Sequence, residues 1–402
     1  MYADPMQPTI ESPGWTFQPG WSLTRNHYTD PAIFEHDLQR IFMRHWLCAG
    51  PACRIPRPGD YFTFQIAQES LIVIRDQSGQ ARALFNVCRH RGSRICTSEA
   101  GRAQKLVCPY HQWVYELDGR LINARHMSED FDTSSFGLRE AHCREVAGLL
   151  FVSLAKHPPD FSPFERDIVP RLAKHQIDRT RICHSRTYEV KANWKVVVEN
   201  SRECYHCGAG HPQYCRAVGF AAAIDSRAAA EEEARITAAR QEILKSQGID
   251  PTPVPFLPDT WHHCRRFFLR NNFMTESMDG RPVAPLLGSV TNRDVGVLAV
   301  VTLPNLLLEV SPDYALLLRL APLSALTTRV DLHWLVREDA VEGIDYQVDR
   351  LTEFWRLTAE QDWKLCEDNQ AGIHSDEYRP GPYAPDEGGV AHFVQWYIEQ
   401  IS

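Results

Sequence analysis

Between Tyr61 and Asn86 the chain falls into short apolar runs, Tyr61 to Ile66, Leu71 to Arg75 and Ala81 to Asn86, parted by turn formers such as Gln77-Ser78-Gly79. Such runs, rich in aromatic and β-branched residues, predict strands. Leu149 to Leu154 reads as a closing strand ahead of His157-Pro158-Pro159, so residues 46–156 are expected to form one small β domain. Before it, Ile33, Phe34, Leu38, Ile41 and Phe42 recur at helical spacing, and residues 1–45 are expected to be a helical segment packed on the larger downstream domain. After it, Ile182 to Val190 predicts a strand, and a helix is expected to run through Val198, Glu199 and Tyr205. Residues 221–247, rich in Ala, Glu, Arg and Gln and ended by Gly248 and Pro251, predict a surface helix. Four β-type runs between 296 and 336 predict an antiparallel meander. Gly343 to Asp368 then reads as a long helix whose apolar stripe is Val348, Leu351, Trp355, Thr358, Asp362 and Leu365. The chain is thus expected to be α+β, with residues 157–402 forming a larger second domain.

Composition narrows the options. A net charge of -8 leaves no basic footprint for nucleic acid, and Arg265-Arg266 is too short a run to reverse that. The longest apolar stretch, Val295 to Leu308, is interrupted by Pro304 and Asn305, so no bilayer span is expected. Met1 to Trp15 has no apolar signal core. Twelve Cys spread over 402 residues read as reduced thiols, and a cytoplasmic location is expected.

Two short pairs change the picture. Cys88-Arg89-His90 and Cys108-Pro109-Tyr110-His111 each offer one thiolate and one imidazole on one loop tip. Zinc sites rarely divide their ligands that way, whereas a Rieske [2Fe-2S] centre has two Cys on one iron and two His on the other. Exchanging two thiolates for neutral imidazoles raises the potential, so these four residues predict an electron carrier. Arg89 and Arg91 flank the first loop, and Trp113 and Tyr115 follow the second, where they limit water access.

A second set lies downstream. His206 and His211, five residues apart, point about 140° away from each other on a regular helix, so they converge only if the helix breaks. Gly208 and Gly210 supply the break. Glu199, Glu203 and His206 share one helical face, and Asp362 on the apolar stripe of the long helix is the best candidate for a remote carboxylate, because a buried acid needs a partner. Two His and one Asp form the facial triad with which non-heme Fe(II) oxygenases activate dioxygen. Cys204 and Cys207 read as structural, since no second Cys pair answers them.

These motifs resemble the large subunits of Rieske non-heme iron oxygenases. The residues that carry the resemblance are Cys88 to Gly92, Cys108 to Trp113, Asn193-Trp194-Lys195, Glu199-Asn200 through Tyr205-His206 to His211, and Gln361-Asp362 to Cys366-Glu367. The resemblance implies a helix-grip catalytic domain, an antiparallel sheet around a long helix, preceded by the Rieske domain. It also implies a homotrimer in which the cluster of one subunit reduces the Fe(II) of its neighbour through an acid. That acid is Glu203, contacted by His111, and the motif sets Asn200 beside it as a second catalytic candidate. Glu at 203, together with Thr275 to Gly280, is similar to the branch acting on quaternary ammonium compounds, rather than to ring dihydroxylases. The implied activity is monooxygenation of an N-methyl group of a small betaine, with formaldehyde released; the alternative is hydroxylation of an aromatic acid. No Gly-x-Gly-x-x-Gly follows a strand and no plant-type ferredoxin spacing occurs, so NAD(P)H and flavin are expected on a separate reductase. Trp194, Tyr205, Trp261, Phe267 and Phe268 are candidates for a cage around the cation, and His263, Arg265 or Arg266 for the substrate carboxylate.

Overall fold

The computed structural model describes residues 17–219, 226–257, 260–270 and 272–402. The first strands are β1 (Leu47–Pro51), β2 (Asp60–Ile66), β3 (Glu69–Arg75), β4 (Ala81–Phe85), β5 (Ala100–Arg102), β6 (Leu106–Val107), β7 (Val114–Tyr115), β8 (Leu121–Asn123), β9 (Glu140–Val146) and β10 (Leu149–Ser153). Seven of them form one antiparallel sheet, in the order β1-β10-β9-β4-β3-β2-β5, and β6-β7-β8 form a small second one. Between the two sheets lies a compact core containing Ile72, Ile74, Leu84, Trp113 and Tyr115.

The larger sheet system follows: β11 (Thr180–Val190), β12 (His262–Phe267), β13 (Val297–Thr302), β14 (Leu306–Val310), β15 (Ala315–Ser324) and β16 (Thr327–Arg337), in the order β11-β16-β15-β14-β13-β12. The meander is as expected, with β11 and β12 added at its edges. Its central strands β13 and β14 and the first part of β15 are nearly all apolar because both faces are covered. Successive side chains alternate between faces: Leu298, Val300, Leu308 and Leu317 point into a core shared with Trp46, Phe151 and Phe164. Val297, Ala299, Leu316 and Leu332 point into the opposite core, which holds Trp194, Trp355 and Phe393. The small β module therefore sits on the back of the catalytic sheet. One side chain ties the two together: Asn305 accepts from the Cys48 N–H at 2.9 Å and donates to the Cys48 carbonyl at 3.0 Å.

The helices are α1 (Arg25–Thr29), α2 (Pro31–Asp37), α3 (Ser162–Leu172), α4 (Trp194–Asn200), α5 (Cys207–Gly210), α6 (Pro212–Ala217), α7 (Ser226–Ser246), α8 (Val348–Ile373) and α9 (Gly388–Ile401). The long helix α8 begins five residues later than its sequence pattern indicates and ends five later. Gly343, at φ +85°, is held in a turn in which its N–H donates to the Tyr346 carbonyl at 2.9 Å, so the helix starts only after Gln347. A second difference matters more. The helix expected through Tyr205 stops at Asn200, and residues 201–206 turn. Glu199 consequently faces away from the site and accepts from Tyr28 Oη at 2.9 Å. The reading of 221–247 as one surface helix holds for Ser226–Ser246; its first residues lie outside the described ones. That helix buries Ile236 and Leu244 against Phe268 and Val295. No helix among the described residues is long and apolar enough to cross a membrane.

Candidate functional site

The two loops that carry the Cys and His pairs have the same backbone plan. In each, the Cys N–H donates to a carbonyl five residues on, Cys88 to Ser93 at 2.8 Å and Cys108 to Trp113 at 2.9 Å. In each, the Cys carbonyl receives the N–H four residues on, from Gly92 at 2.9 Å and from Gln112 at 3.0 Å. Closing so tight a loop requires left-handed backbone at that fourth position, with φ +80° at Gly92 and +59° at Gln112.

The loops bring all four candidate residues together. The two thiols face each other closely enough to hydrogen-bond, and the His90 and His111 rings are 4.5 Å apart. Trp113 stacks on His90 at 4.9 Å and 6°, while Tyr115 Oη lies 3.3 Å from Cys88 Sγ and accepts from the Arg89 N–H at 3.1 Å. Burial pushes the Cys88 thiol up; it acts the same way on Cys108, yet the N–H groups of Tyr110 and His111 outweigh it and hold that thiol below its usual value. Desolvation, His90 and Arg91 depress His111, which favours the neutral ring that a metal needs. Two sulfurs on one side and two imidazoles on the other fit a Rieske cluster, with Tyr115 as a hydrogen-bonding neighbour of one sulfur. The tip is open: Tyr110 is 55 % exposed, and Val87 and Val107 are exposed beside it.

The second site is built where α4, α5, α6 and α8 meet. Asn193 caps α4 by accepting from Lys195 N at 3.0 Å. The chain then breaks between the two histidines as their spacing requires: His206 caps the four-residue α5, and His211 stands between it and α6, which opens on Pro212. Gly210 lets this turn lie against α8, since a Cβ there would sit 3.1 Å from Leu365 Cδ1. Asp362 comes from α8 across 151 residues of sequence.

The donor atoms converge. His206 Nε2 and His211 Nε2 are 3.1 Å apart, and Asp362 Oδ1 lies 3.3 Å from the first and 2.9 Å from the second. One face of an octahedron with metal–ligand distances of about 2.1 Å has edges of about 3 Å. The far nitrogens are held by partners: His206 Nδ1 by Glu203 Oε1 at 2.5 Å, and His211 Nδ1 by Gln361 Oε1 at 2.8 Å. Both rings therefore turn Nε2 to Asp362. Burial opposes charge on His206, but Asp362 and Glu203 raise it to about 10; His211 is likewise raised, by Asp362 against its own burial. These residues gather around positive charge, which a cation supplies directly. Cys207 is also near, with its Sγ 4.0 Å from His206 Nε2. It stands farther off than Asp362, and its bond to Cys204, with burial, pushes the thiol strongly up, so Asp362 completes the set better.

A cavity of about 500 Å³ opens on this triangle and is lined by Asn200, Glu203, His206, His211 and Asp362 among others. The cage candidates divide. Tyr205 and Phe267 line the cavity. Trp194 is fully buried with its Nε1 donating to Asp37 at 3.0 Å, Trp261 stacks on Phe164 in the core behind the sheet, and Phe268 packs beneath α7. Nearness in sequence to the site motifs does not say which core an aromatic joins. Of the cationic candidates, His263 and Arg265 line the cavity, whereas Arg266 points to the other face of β12 and donates to the Val295 carbonyl at 2.8 Å. Tyr214, Trp355, Arg202 and Glu309, also on the cavity wall, were not anticipated. Only Glu309 carries a local signal, an acid at an inward position of the otherwise apolar β14.

Comparison with known proteins agrees with this arrangement. Residues 45–143 match the model of the Rieske [2Fe-2S] domain, and residues 177–402 that of the ring hydroxylating alpha subunit (catalytic domain). The glycine betaine monooxygenase oxygenase subunit of Pseudomonas aeruginosa is 38 % identical over 388 residues, 95 % of this chain and 89 % of that protein. The carnitine monooxygenase oxygenase subunit of Escherichia coli (strain K12) is 32 % identical over 209 residues, 50 % of this chain and 55 % of that one. The solved structure of a quaternary ammonium Rieske monooxygenase shares the fold, with a TM-score of 0.73 at 23 % identity over 94 % of this chain and 96 % of that one. The chain thus belongs to the ring-hydroxylating alpha subunits, oxygen-incorporating oxidoreductases that work with a Rieske [2Fe-2S] cluster and a mononuclear iron.

Proposed function

We propose that this chain is the oxygenase component of a monooxygenase system that N-demethylates a small betaine, a quaternary ammonium carboxylate. The observation that carries the reading is the cavity itself. Its wall holds the His206, His211 and Asp362 triangle together with aliphatic strand residues and the aromatic rings of Tyr214 and Trp355. A quaternary nitrogen has no hydrogen to donate, so aromatic faces are the natural means of holding it. The names of the relatives from Pseudomonas aeruginosa and Escherichia coli point to the same ligand chemistry.

In this reading Cys88, His90, Cys108 and His111 hold the cluster, and His206, His211 and Asp362 hold the iron. When bound, these groups supply single electrons and, with dioxygen, the oxidising power for attack on a C–H bond. The residues around them orient and protect. Glu203 and Gln361 fix the two imidazoles through their Nδ1 atoms, while Val301, Leu307, Leu316 and Leu332 keep water from the chamber. Replacing one methyl hydrogen by hydroxyl consumes dioxygen, two electrons and two protons and releases water. The resulting carbinolamine loses its O–H proton as its C–N bond breaks, giving formaldehyde and the demethylated amine.

The two electrons come from a separate flavin-containing reductase fed by NAD(P)H. Residues 46–156 serve as the electron-carrying domain, residues 157–402 as the catalytic domain and residues 1–45 as a brace on the latter. The open tip at Tyr110 and the 69 % exposed Tyr205 at the cavity rim favour a homotrimer, in which Glu203, with Asn200 beside it, receives His111 of the partner subunit. The test is oxygen uptake by the loaded enzyme with a generic reductase, across betaines and benzoate-type acids. Formaldehyde formed in step with oxygen consumption from a betaine, and absent with the aromatic acids, is expected; the reverse pattern would reassign the enzyme to aromatic hydroxylation.

A further inference from the structure

Across β13, β14, β15 and β16, the side chains lining the cavity are Ala299, Val301, Leu307, Leu316, Leu318, Leu320, Leu332 and one acid, Glu309. Glu309 is 7 % exposed, and its Oε2 is buried without a hydrogen-bond partner. Of the other buried acids nearby, Asp313 has partners on both oxygens, and Glu276 has them on Oε2 alone, its Oε1 being unpartnered like Oε2 of Glu309. Asp313 accepts from Thr275 Oγ1 at 2.6 Å and from Val283 N at 2.9 Å. Glu276 accepts from Ser311 Oγ at 2.8 Å and from Trp355 Nε1 at 3.3 Å. An acid kept inside an apolar wall with no hydrogen-bond partner on Oε2 is opposed by its own burial, and a bound cation offsets that cost.

The surroundings of Glu309 suit a particular cation. Tyr214 lies within electrostatic reach of both Glu309 and Glu276, and its ring is 5.8 Å from that of Trp355. Donation of the Trp355 N–H to Glu276 makes the indole more electron-rich, which strengthens attraction of a cation to its face. On the same rung of the sheet, Glu309 pairs with Ala299 and Ala299 with Arg265, so an acid and a guanidinium stand two strands apart with only a methyl group between them. Neighbouring strands are about 4.8 Å apart, which gives roughly 10 Å between the two backbones. A short zwitterion fits such a rung with its cation toward Glu309 and its carboxylate toward Arg265.

We propose that Glu309 is the counter-ion of the substrate's quaternary nitrogen, with Tyr214 and Trp355 completing the cation subsite and Arg265 receiving the carboxylate. This rests on the betaine reading above and assigns its charge recognition to one side chain. Because a trimethylammonium group offers no N–H, an acid that faces it across methyl groups needs no hydrogen-bond geometry, only proximity and exclusion of water.

The experiment uses the loaded enzyme without reductase and two probes of the same shape. Glycine betaine carries the cation; 3,3-dimethylbutanoate replaces its nitrogen by carbon. Calorimetric titration of the unmodified protein is expected to favour glycine betaine by about tenfold or more. In Glu309→Gln that preference is expected to fall to within about threefold, mainly by weaker betaine binding, with iron content and the cluster spectrum unchanged. A Glu309→Gln protein that keeps the full preference overturns the counter-ion role. So does an unmodified protein that binds both probes equally, a result that does not depend on any variant folding. If the unmodified protein binds neither probe nor any other betaine of the oxygen-uptake screen, the betaine reading itself fails, and the role of Glu309 falls with it.

Discussion

At the scale of single residues, the candidate iron site is a matter of three atoms within 3.3 Å of one another and two fixed rings. Asp362→Ala removes the only carboxylate in that triangle. Its expected outcome is a fall from about three to about two irons per subunit, with the visible spectrum of the cluster unchanged and turnover lost. Metal analysis of the purified variant checks this, and an unchanged iron count would move the third ligand to another group, with Cys207 first in line by position. The histidines were legible from their spacing and the glycines between them. Glu203 was legible too, but for a different geometry: it reaches His206 through a turn in which its Oε2 accepts the His206 N–H at 3.1 Å, and not along a helix face. The helix from Trp194 ends at Asn200, and the turn that follows carries Glu203 to His206.

At the scale of elements, the alternation of β13 to β16 between two cores explains why an antiparallel sheet reads as nearly continuous apolar sequence. It also makes the junction with the small β module depend on polar groups that are properly paired. Asn305 satisfies both backbone groups of Cys48 in a fully buried setting. Asn305→Ala leaves a donor and an acceptor unpaired, and the expected loss of stability is about 2–4 kcal/mol. Thermal denaturation followed through both the cluster absorption and far-ultraviolet dichroism measures it. A midpoint no lower than that of an exposed-site control would show that the junction is held by apolar packing alone.

At the scale of the whole molecule, the amino-terminal segment is tied to the catalytic core by one buried acid. Asp37 at the end of α2 is fully buried and accepts from Lys195 Nζ, from Trp194 Nε1 at 3.0 Å and from Tyr397 Oη at 2.8 Å. It thereby joins α2, α4 and α9 behind the metal-site turn. Removing one partner of a buried ion pair leaves the other charge stranded, so Asp37→Ala is expected to cost about 3–5 kcal/mol. The double variant Asp37→Leu with Lys195→Met should recover most of that loss, since no charge then remains buried. Comparison of the two thermal midpoints decides it: a double variant as unstable as the single one argues that the polar cluster is needed for the arrangement of these helices.

What the sequence determined by itself is what is local to it. The two loop tips close through hydrogen bonds spanning five residues, and the meander follows from four short apolar runs in succession. The break between His206 and His211 follows from two intervening glycines. Tertiary structure decided which buried face meets which. Trp194, Trp261 and Phe268 were cage candidates by sequence, but the molecule has several interiors, and only packing assigns each ring to one. The same holds for Glu309. An acid at an inward position is visible in the sequence of β14, yet whether it meets a protein partner or an open cavity depends on strands and helices from elsewhere in the chain, because burial is a property of the assembled fold and not of the strand that carries the residue.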